Sequence, residues 1–152
     1  MKLSWVALTF VAGAVVAAGC GNNYNNNNFG AQCDPPNGVQ VALVYPAPGS
    51  TGIPDDLGGF VVLGSTRALP SNYGVVVQNN ATGNAAGFGG VGPAPSPIPS
   101  PFATPAFASP VYQASGSLGA TFVAGSQLTV YFNDLNNPNC APTLTLGSFK
   151  VQ

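Results

Sequence analysis

Short runs of apolar and β-branched residues alternate along this chain with clusters of glycine, proline, asparagine and serine. The 152 residues include 20 glycines and 15 prolines, the two residue types that are least stable inside a helix. Apolar residues do not recur with the 3.6-residue period of an amphipathic helix. The chain therefore predicts short strands joined by turns, and its length predicts one domain.

Seven strands are predicted, and several show the two-residue alternation that buries one face of a strand. In the sixth, Leu128, Val130 and Phe132 share one side, and in the last, Leu144 and Leu146 lie opposite the neighbouring threonines. Seven short strands are the number expected of an all-β sandwich. The predicted strands are residues 39–45, 59–65, 73–79, 111–115, 121–123, 127–133 and 143–151.

An export signal is predicted over residues 1–19. Lys2 precedes an apolar run at 6–18, and this run is shorter than the roughly 20 residues that a membrane-spanning helix requires. A positive end followed by a short apolar run is the pattern of a signal peptide, which is removed from the mature protein.

The signal ends in Ala18-Gly19-Cys20, which resembles the lipobox of bacterial lipoproteins. The resemblance implies cleavage after Gly19 and attachment of a diacylglycerol to the Cys20 thiol, so that membrane lipid is the partner of acylated Cys20. It also implies export to the outer membrane or cell surface, since residue 21 is glycine and not aspartate. The alternative is an ordinary signal peptide that ends near a structural cysteine.

The segment 20–32 is predicted to be a flexible tether. It contains the asparagine-rich run 21–30, which has too little apolar surface to offset the entropy lost on ordering. The folded domain is therefore expected at 33–152.

Two segments of this domain resemble connections of bacterial immunoglobulin-like domains. Residues 45–54, with the sequence YPAPGSTGIP, are similar to the connection between the first two strands, and residues 122–128, FVAGSQL, are similar to the turn that enters the sixth. The resemblance implies a single seven-stranded immunoglobulin-like, or fibronectin type III-like, β-sandwich.

Once Cys20 is assigned to lipid, an even pair of cysteines is left, Cys33 and Cys140. Cys33 precedes the first predicted strand and Cys140 follows the sixth, so alternating strand directions place both at the same end of the sandwich. We expect a disulfide between them, which the oxidising compartment of an exported protein permits. Metal binding by two isolated thiols is the alternative, although neither has a histidine nearby.

Two glycine- and proline-rich segments are predicted to be connections. The run Gly87-Phe-Gly-Gly-Val-Gly92 has the glycine spacing of a dinucleotide-binding loop, but prolines follow it instead of a helix, and a flexible loop is expected. Residues 93–110 contain seven prolines and are interpreted as a long crossover that replaces an edge strand, with Phe102 and Phe107 packed back on the sandwich. A proline-rich ligand for aromatic grooves is the alternative.

The charge content limits the function classes. Three cations exclude a basic nucleic-acid surface. The chain has no histidine and its only acidic residues are four aspartates, so no catalytic pair, cofactor or metal site is expected. A calcium site that combines Asp55 and Asp56 with Asp134 is disfavoured, because the strand count puts them at opposite ends of the sandwich, and turn chemistry is expected for them.

The leading hypothesis is a lipid-anchored domain with a structural, adhesion or display role in the bacterial cell envelope. The alternative is an accessory module that binds an envelope protein or a polysaccharide beside a partner enzyme. An exposed row of aromatic side chains would favour sugar binding, and a buried set would count against it. The candidates for such a row are Tyr73, Phe88, Tyr112 and Tyr131.

Overall fold

A computed structural model describes residues 32–152. The predicted signal peptide, the lipid-attachment residue Cys20 and residues 20–31 of the predicted tether lie outside the described residues. The described part is an all-β domain, as predicted, with one short turn of 3-10 helix at Leu57–Gly59. Its strands are β1 (Val41–Tyr45), β2 (Phe60–Ser65), β3 (Tyr73–Asn79), β4 (Ala85–Pro93), β5 (Val111–Ser117), β6 (Gln127–Asp134) and β7 (Thr145–Lys150).

The seven strands form one antiparallel, nearly closed sheet in the order β1-β2-β5-β4-β3-β6-β7. Six of the seven predicted strands coincide with observed ones, and β3 has the predicted bounds. Because every paired neighbour is antiparallel, the connections lie alternately at the two ends of the sheet.

The core lies inside this sheet and is formed by alternate residues of the strands. Leu128, Val130 and Phe132 of β6 are fully buried, as their alternation predicts. Leu144 and Leu146 are half-buried and pack against the same core cluster. The largest fully buried side chains are Phe88, Phe132 and Phe149.

The glycine-rich run that was predicted to be a flexible loop is strand β4, so that prediction is wrong. Residues 85–87 of β4 pair with β3, and from Phe88 onward the strand pairs with β5. The change of partner coincides with a bulge between Phe88 and Val91, where Gly89 and Gly90 have no ladder partner. Glycine permits such a bulge because no side chain obstructs the close approach of a neighbouring backbone.

The prediction of a strand at 121–123 is also wrong. These residues belong to a loop between β5 and β6, which are not neighbours in the sheet. The chain crosses the end of the sheet here, from β5 to β6. Its backbone hydrogen bonds are therefore made to other loops and not to a neighbouring strand. The amide of Phe122, for example, donates to the carbonyl of Asp55 at 2.9 Å.

Irregular segments cover the two outer edges of the sheet. The amide of Ala103 donates to the carbonyl of Val44 in β1, and the amide of Ala47 donates to the carbonyl of Pro101, at 2.9 and 3.0 Å. The edge of β7 pairs in parallel with residues 49–53, and Gly49 donates to the carbonyl of Ser148 at 2.7 Å. Part of the proline-rich segment thus lies along the edge of β1, although the segment joins β5 to its neighbour β4 in the same sheet.

Candidate functional site

Cys33 and Cys140 form a disulfide, as predicted. Their Cα atoms lie 5.1 Å apart, although the residues are 107 positions apart in sequence. Gln32, the last residue of the predicted tether, forms a parallel bridge with Ala141, and the amide of Cys33 donates to the carbonyl of Ala141 at 3.1 Å. We call this end of the sheet the disulfide pole, and the end that carries the turn 80–84 and the loop 118–126 the far pole.

The proline-rich segment covers the outer face of the sheet around β2. Val62 points outward, between the inward Val61 and Leu63, and forms a second apolar cluster in which Ile98 takes part. Pro105 lies directly over Gly64, so that a side-chain carbon at residue 64 would approach its Cγ to 2.6 Å. The segment is therefore packed on the domain.

The phenylalanines of this segment do not both pack as expected. Phe107 is half-buried, but Phe102 is 53% exposed, so the expectation for Phe102 is wrong. The adjacent backbone explains the difference. The carbonyl of Pro101 accepts from the amide of Ala47 and the amide of Ala103 donates to the carbonyl of Val44, so the backbone holds this stretch in place without burial of the Phe102 side chain.

The aspartates take part in turns, as expected. Asp56 accepts a hydrogen bond from the amide of Gly58 at 2.8 Å. Asp134 accepts from the side-chain amide of Asn72 and from the amide of Asn136, both at 3.0 Å. The antiparallel strand directions place Asp56 at the far pole and Asp134 at the disulfide pole. Among residues 32–152, no group of three histidine, cysteine or acidic residues is placed to hold a metal ion.

The four candidate aromatic residues do not lie in one row. Phe88 is buried, and Tyr73 stacks on Phe132 inside the sheet with ring centroids 5.3 Å apart. Tyr112 packs in the outer cluster beneath the proline-rich segment. Tyr131 lies in a depression of the opposite outer face, between β3 and the β6–β7 connection. This arrangement counts against a sugar-stacking platform made of these side chains.

The far pole carries the two most exposed large apolar side chains of the described residues. Leu118 is 77% exposed and Val123 is 72% exposed, and both belong to the loop between β5 and β6. Beside them is a cavity of about 240 Å³. We call this region the far-pole surface; it consists of Leu118, Val123 and the cavity residues Asn79, Thr82, Asn84, Ala85, Ala86, Thr121 and Phe122.

A buried asparagine holds the parts of the far-pole surface together. The side-chain oxygen of Asn79 accepts from the amide of Ala81 at 2.9 Å, and its nitrogen donates to the hydroxyl of Ser126 at 2.9 Å. The first bond shapes the turn 80–84, and the second joins this turn to the loop 118–126. Sequence reasoning missed this surface because residues 121–123 were assigned to a strand; the glycines that flank the apolar loop were the available signal.

Tyr45 is expected to make the stability of the domain depend on pH in the alkaline range. Burial and, secondarily, the negative charge of Asp56 raise the pKa of the Tyr45 phenol above its ordinary value of 10.0. The folded state therefore holds this proton more tightly than the unfolded state. We expect Tyr45 to make its full contribution to stability below about pH 10. This contribution should decline as the pH rises from there through the raised pKa of the folded state.

Chemical unfolding of the wild type and Tyr45→Phe between pH 8 and 11.5 measures this effect, because the other titrating groups are common to both proteins. The free energy of unfolding of the variant should decline less steeply above about pH 10. If the free energy of unfolding declined equally steeply in both proteins, Tyr45 would have the same pKa in the folded and unfolded states.

Comparison with known proteins found no matching family model, no matching curated protein and no matching solved structure. Within residues 32–152, no helix has the length and apolar character needed to cross a membrane.

Proposed function

We propose that this protein is a lipid-anchored, extracytoplasmic immunoglobulin-like domain with a structural, adhesion or display role in the bacterial cell envelope. The anchor in this proposal is a lipid on Cys20, joined to the domain by the asparagine-rich tether. The role is non-catalytic, because the chain offers no histidine, no glutamate and few other titratable groups.

The strand order supports an immunoglobulin-like arrangement. The neighbours β1, β2 and β5 form one group, and β3, β6 and β7 form another, while β4 pairs with each group over a different part of its length. Grouping of the first, second and fifth strands against the third, sixth and seventh is typical of sandwiches of the immunoglobulin type. The similarity of residues 45–54 to the first connection of bacterial domains of this type points to the same fold.

The observation that carries the proposal is the attachment of the domain's amino-terminal end. Cys33 is covalently linked to Cys140 and backbone-bonded to Ala141, next to the point where the tether would leave the domain. A force applied to the tether would be transmitted through the disulfide to the β6–β7 connection. The hydrogen bonds between β1 and the rest of the sheet would therefore not have to resist this force alone. This attachment suits a domain that is held at its amino terminus.

Labelling with palmitate tests the anchor. We expect the wild-type chain to incorporate label and Cys20→Ala to incorporate none, because the Cys20 thiol is the proposed acyl acceptor. The control is Cys33→Ser/Cys140→Ser, which removes the other two thiols and should still be labelled. Label on Cys20→Ala, or none on the wild type, would contradict the anchoring proposal.

The far-pole surface favours protein binding over polysaccharide binding for the alternative role as an accessory module. Exposed Leu118 and Val123 beside a cavity are typical of contacts between proteins, whereas the candidate aromatic residues do not line up as a sugar platform requires.

A further inference from the structure

An asparagine–glycine pair lies in an exposed turn at the disulfide pole. Asn37 is the only asparagine of the chain that is followed by glycine. The amide of Val39 donates to the carbonyl of Pro36 at 2.9 Å, which closes a β-turn with Asn37 and Gly38 at its two central positions. Both central residues are exposed.

Asparagine in such a place is chemically labile. It is one of the thermolabile residues of proteins, because the backbone nitrogen of the next residue can attack the carbonyl carbon of its side chain. The attack requires that this nitrogen lose its proton and approach the side chain closely. A side chain on the next residue would hinder the approach, and glycine has none.

The turn leaves the attacking nitrogen accessible. Within residues 32–152 the amide of Gly38 donates no hydrogen bond, and a side-chain carbon on Gly38 would meet no atom within 4 Å. The turn also lies before the start of β1 at Val41. The side chain of Asn37 and the nitrogen of Gly38 can therefore approach each other without disrupting a strand.

The guanidinium group of Arg67 contacts the peptide group that reacts. Its Nη2 donates to the carbonyl oxygen of Asn37 at 2.9 Å, and this oxygen belongs to the same peptide group as the nitrogen of Gly38. When the nitrogen loses its proton, the negative charge is shared with this oxygen, and a cationic donor stabilises it.

The backbone next to Arg67 keeps this contact in place. The amide of Thr66 donates to the carbonyl of Gln40 at 3.0 Å, and the hydroxyl of Thr66 accepts from the amide of Gln40 at 3.1 Å. These two bonds join the start of the β2–β3 connection to the segment that follows the turn. The guanidinium is therefore held beside the turn by the fold, from a position 30 residues away in sequence.

We propose that Asn37 is a site of spontaneous deamidation and that Arg67 promotes the reaction. The nitrogen of Gly38 bonds to Cγ of Asn37, and the side-chain amide group leaves as ammonia with the proton that Gly38 has lost. The product is a cyclic succinimide. Water then opens one of its two carbonyl groups, which gives aspartate or isoaspartate at residue 37. The reaction needs only water, and it depends on neither export nor the lipid anchor.

The products change the charge and the covalent structure of the disulfide pole. Either product places a carboxylate next to the guanidinium of Arg67 and makes the net charge more negative by one. Isoaspartate also routes the main chain through its side-chain carbon, which lengthens the turn between Cys33 and β1 by one atom. Because ammonia is lost, the change accumulates with the age of the molecule.

Peptide mapping by mass spectrometry measures the reaction after reduction and chymotryptic digestion, since Asn37 is the only asparagine in residues 30–43. The purified, folded full chain is incubated at pH 8 and sampled over several weeks. We expect aspartate and isoaspartate to accumulate at residue 37 of the wild type. The control Asn37→Gln should stay unmodified over the same time.

Arg67→Gln tests the contribution of the guanidinium group. We expect the folded variant to deamidate about two- to threefold more slowly than the wild type. Lys150→Gln is the matched control, because it removes the same charge from the end of β7 at the far pole, and it should react as the wild type does. In urea all three chains should react at the same rate, because the contact between Arg67 and the turn is lost.

Thermal unfolding of each variant verifies that the domain is folded during the incubation. A folded wild-type chain that keeps Asn37 intact while the chain in urea is converted would overturn the proposal. Equal rates in the folded wild type and in folded Arg67→Gln would overturn the role of Arg67. A difference between these two chains that persists in urea would also contradict that role, because it would not depend on the folded contact.

Discussion

Replacing Gly90 by alanine is expected to lower the free energy of unfolding by more than about 3 kcal/mol, beyond the usual cost of overpacking a core. A Cβ atom on residue 90 would overlap the carbonyl oxygen of Ser71 and lie 2.9 Å from its carbonyl carbon. Ser71 is held by the connection between β2 and β3, and a backbone atom has no rotamer through which to move aside. The strain would separate β4 from this connection, as chemical unfolding would measure.

Gly92→Ala is the matched control. Gly92 lies two residues further along β4, and a Cβ atom there would meet no atom within 4 Å. We expect its stability to equal that of the wild type or to rise by up to about 1 kcal/mol, since alanine loses less chain entropy than glycine. Similar losses of stability in Gly90→Ala and Gly92→Ala would show that β4 needs glycine for its flexibility, and not for the close approach of Ser71.

The second large effect is expected from removal of the disulfide in Cys33→Ser/Cys140→Ser. The bond spans 107 residues, and the chain-entropy model assigns about 4.7 kcal/mol to a loop of about 100 residues. Measured losses are usually lower, so we expect the free energy of unfolding to fall by about 3 to 4 kcal/mol. Thermal unfolding should shift downward by roughly 10 °C or more.

Reducing agent supplies the control for this experiment. The wild type should lose the same stability when it is unfolded in reductant, whereas the double variant should not respond to it. A wild-type transition that is the same with and without reductant would contradict a stabilising role for the bond and would weaken the argument that Cys33 transmits force from the tether.

The strands that sequence reasoning located best are those with apolar side chains on alternate positions. β3 has its predicted bounds, and the apolar side of β6 is the side that is buried. β4 escaped prediction because four of the six residues from Gly87 to Gly92 are glycines, which carry no side chain and therefore show no alternation. Its strand character comes from pairing with β3 and β5.

The prediction for the disulfide succeeded partly because two errors cancelled. A strand was assigned to 121–123 where the chain forms a loop, and strand β4 was missed before it. One strand too many and one too few leave Cys140 after the sixth strand, at the same pole as Cys33. The pairing is confirmed, although the strand assignment behind it was wrong in two places.

The amino-acid sequence by itself determined an all-β domain, most of its strands, the buried side of β6 and the turns of the aspartates, because these depend on residues close together in the chain. Only the tertiary structure decided that the glycine run is a strand, that Phe102 is exposed, and that residues 121–123 form a loop at the far pole. Each of these depends on which distant segment supplies the backbone partners, and local residue patterns do not specify that partner.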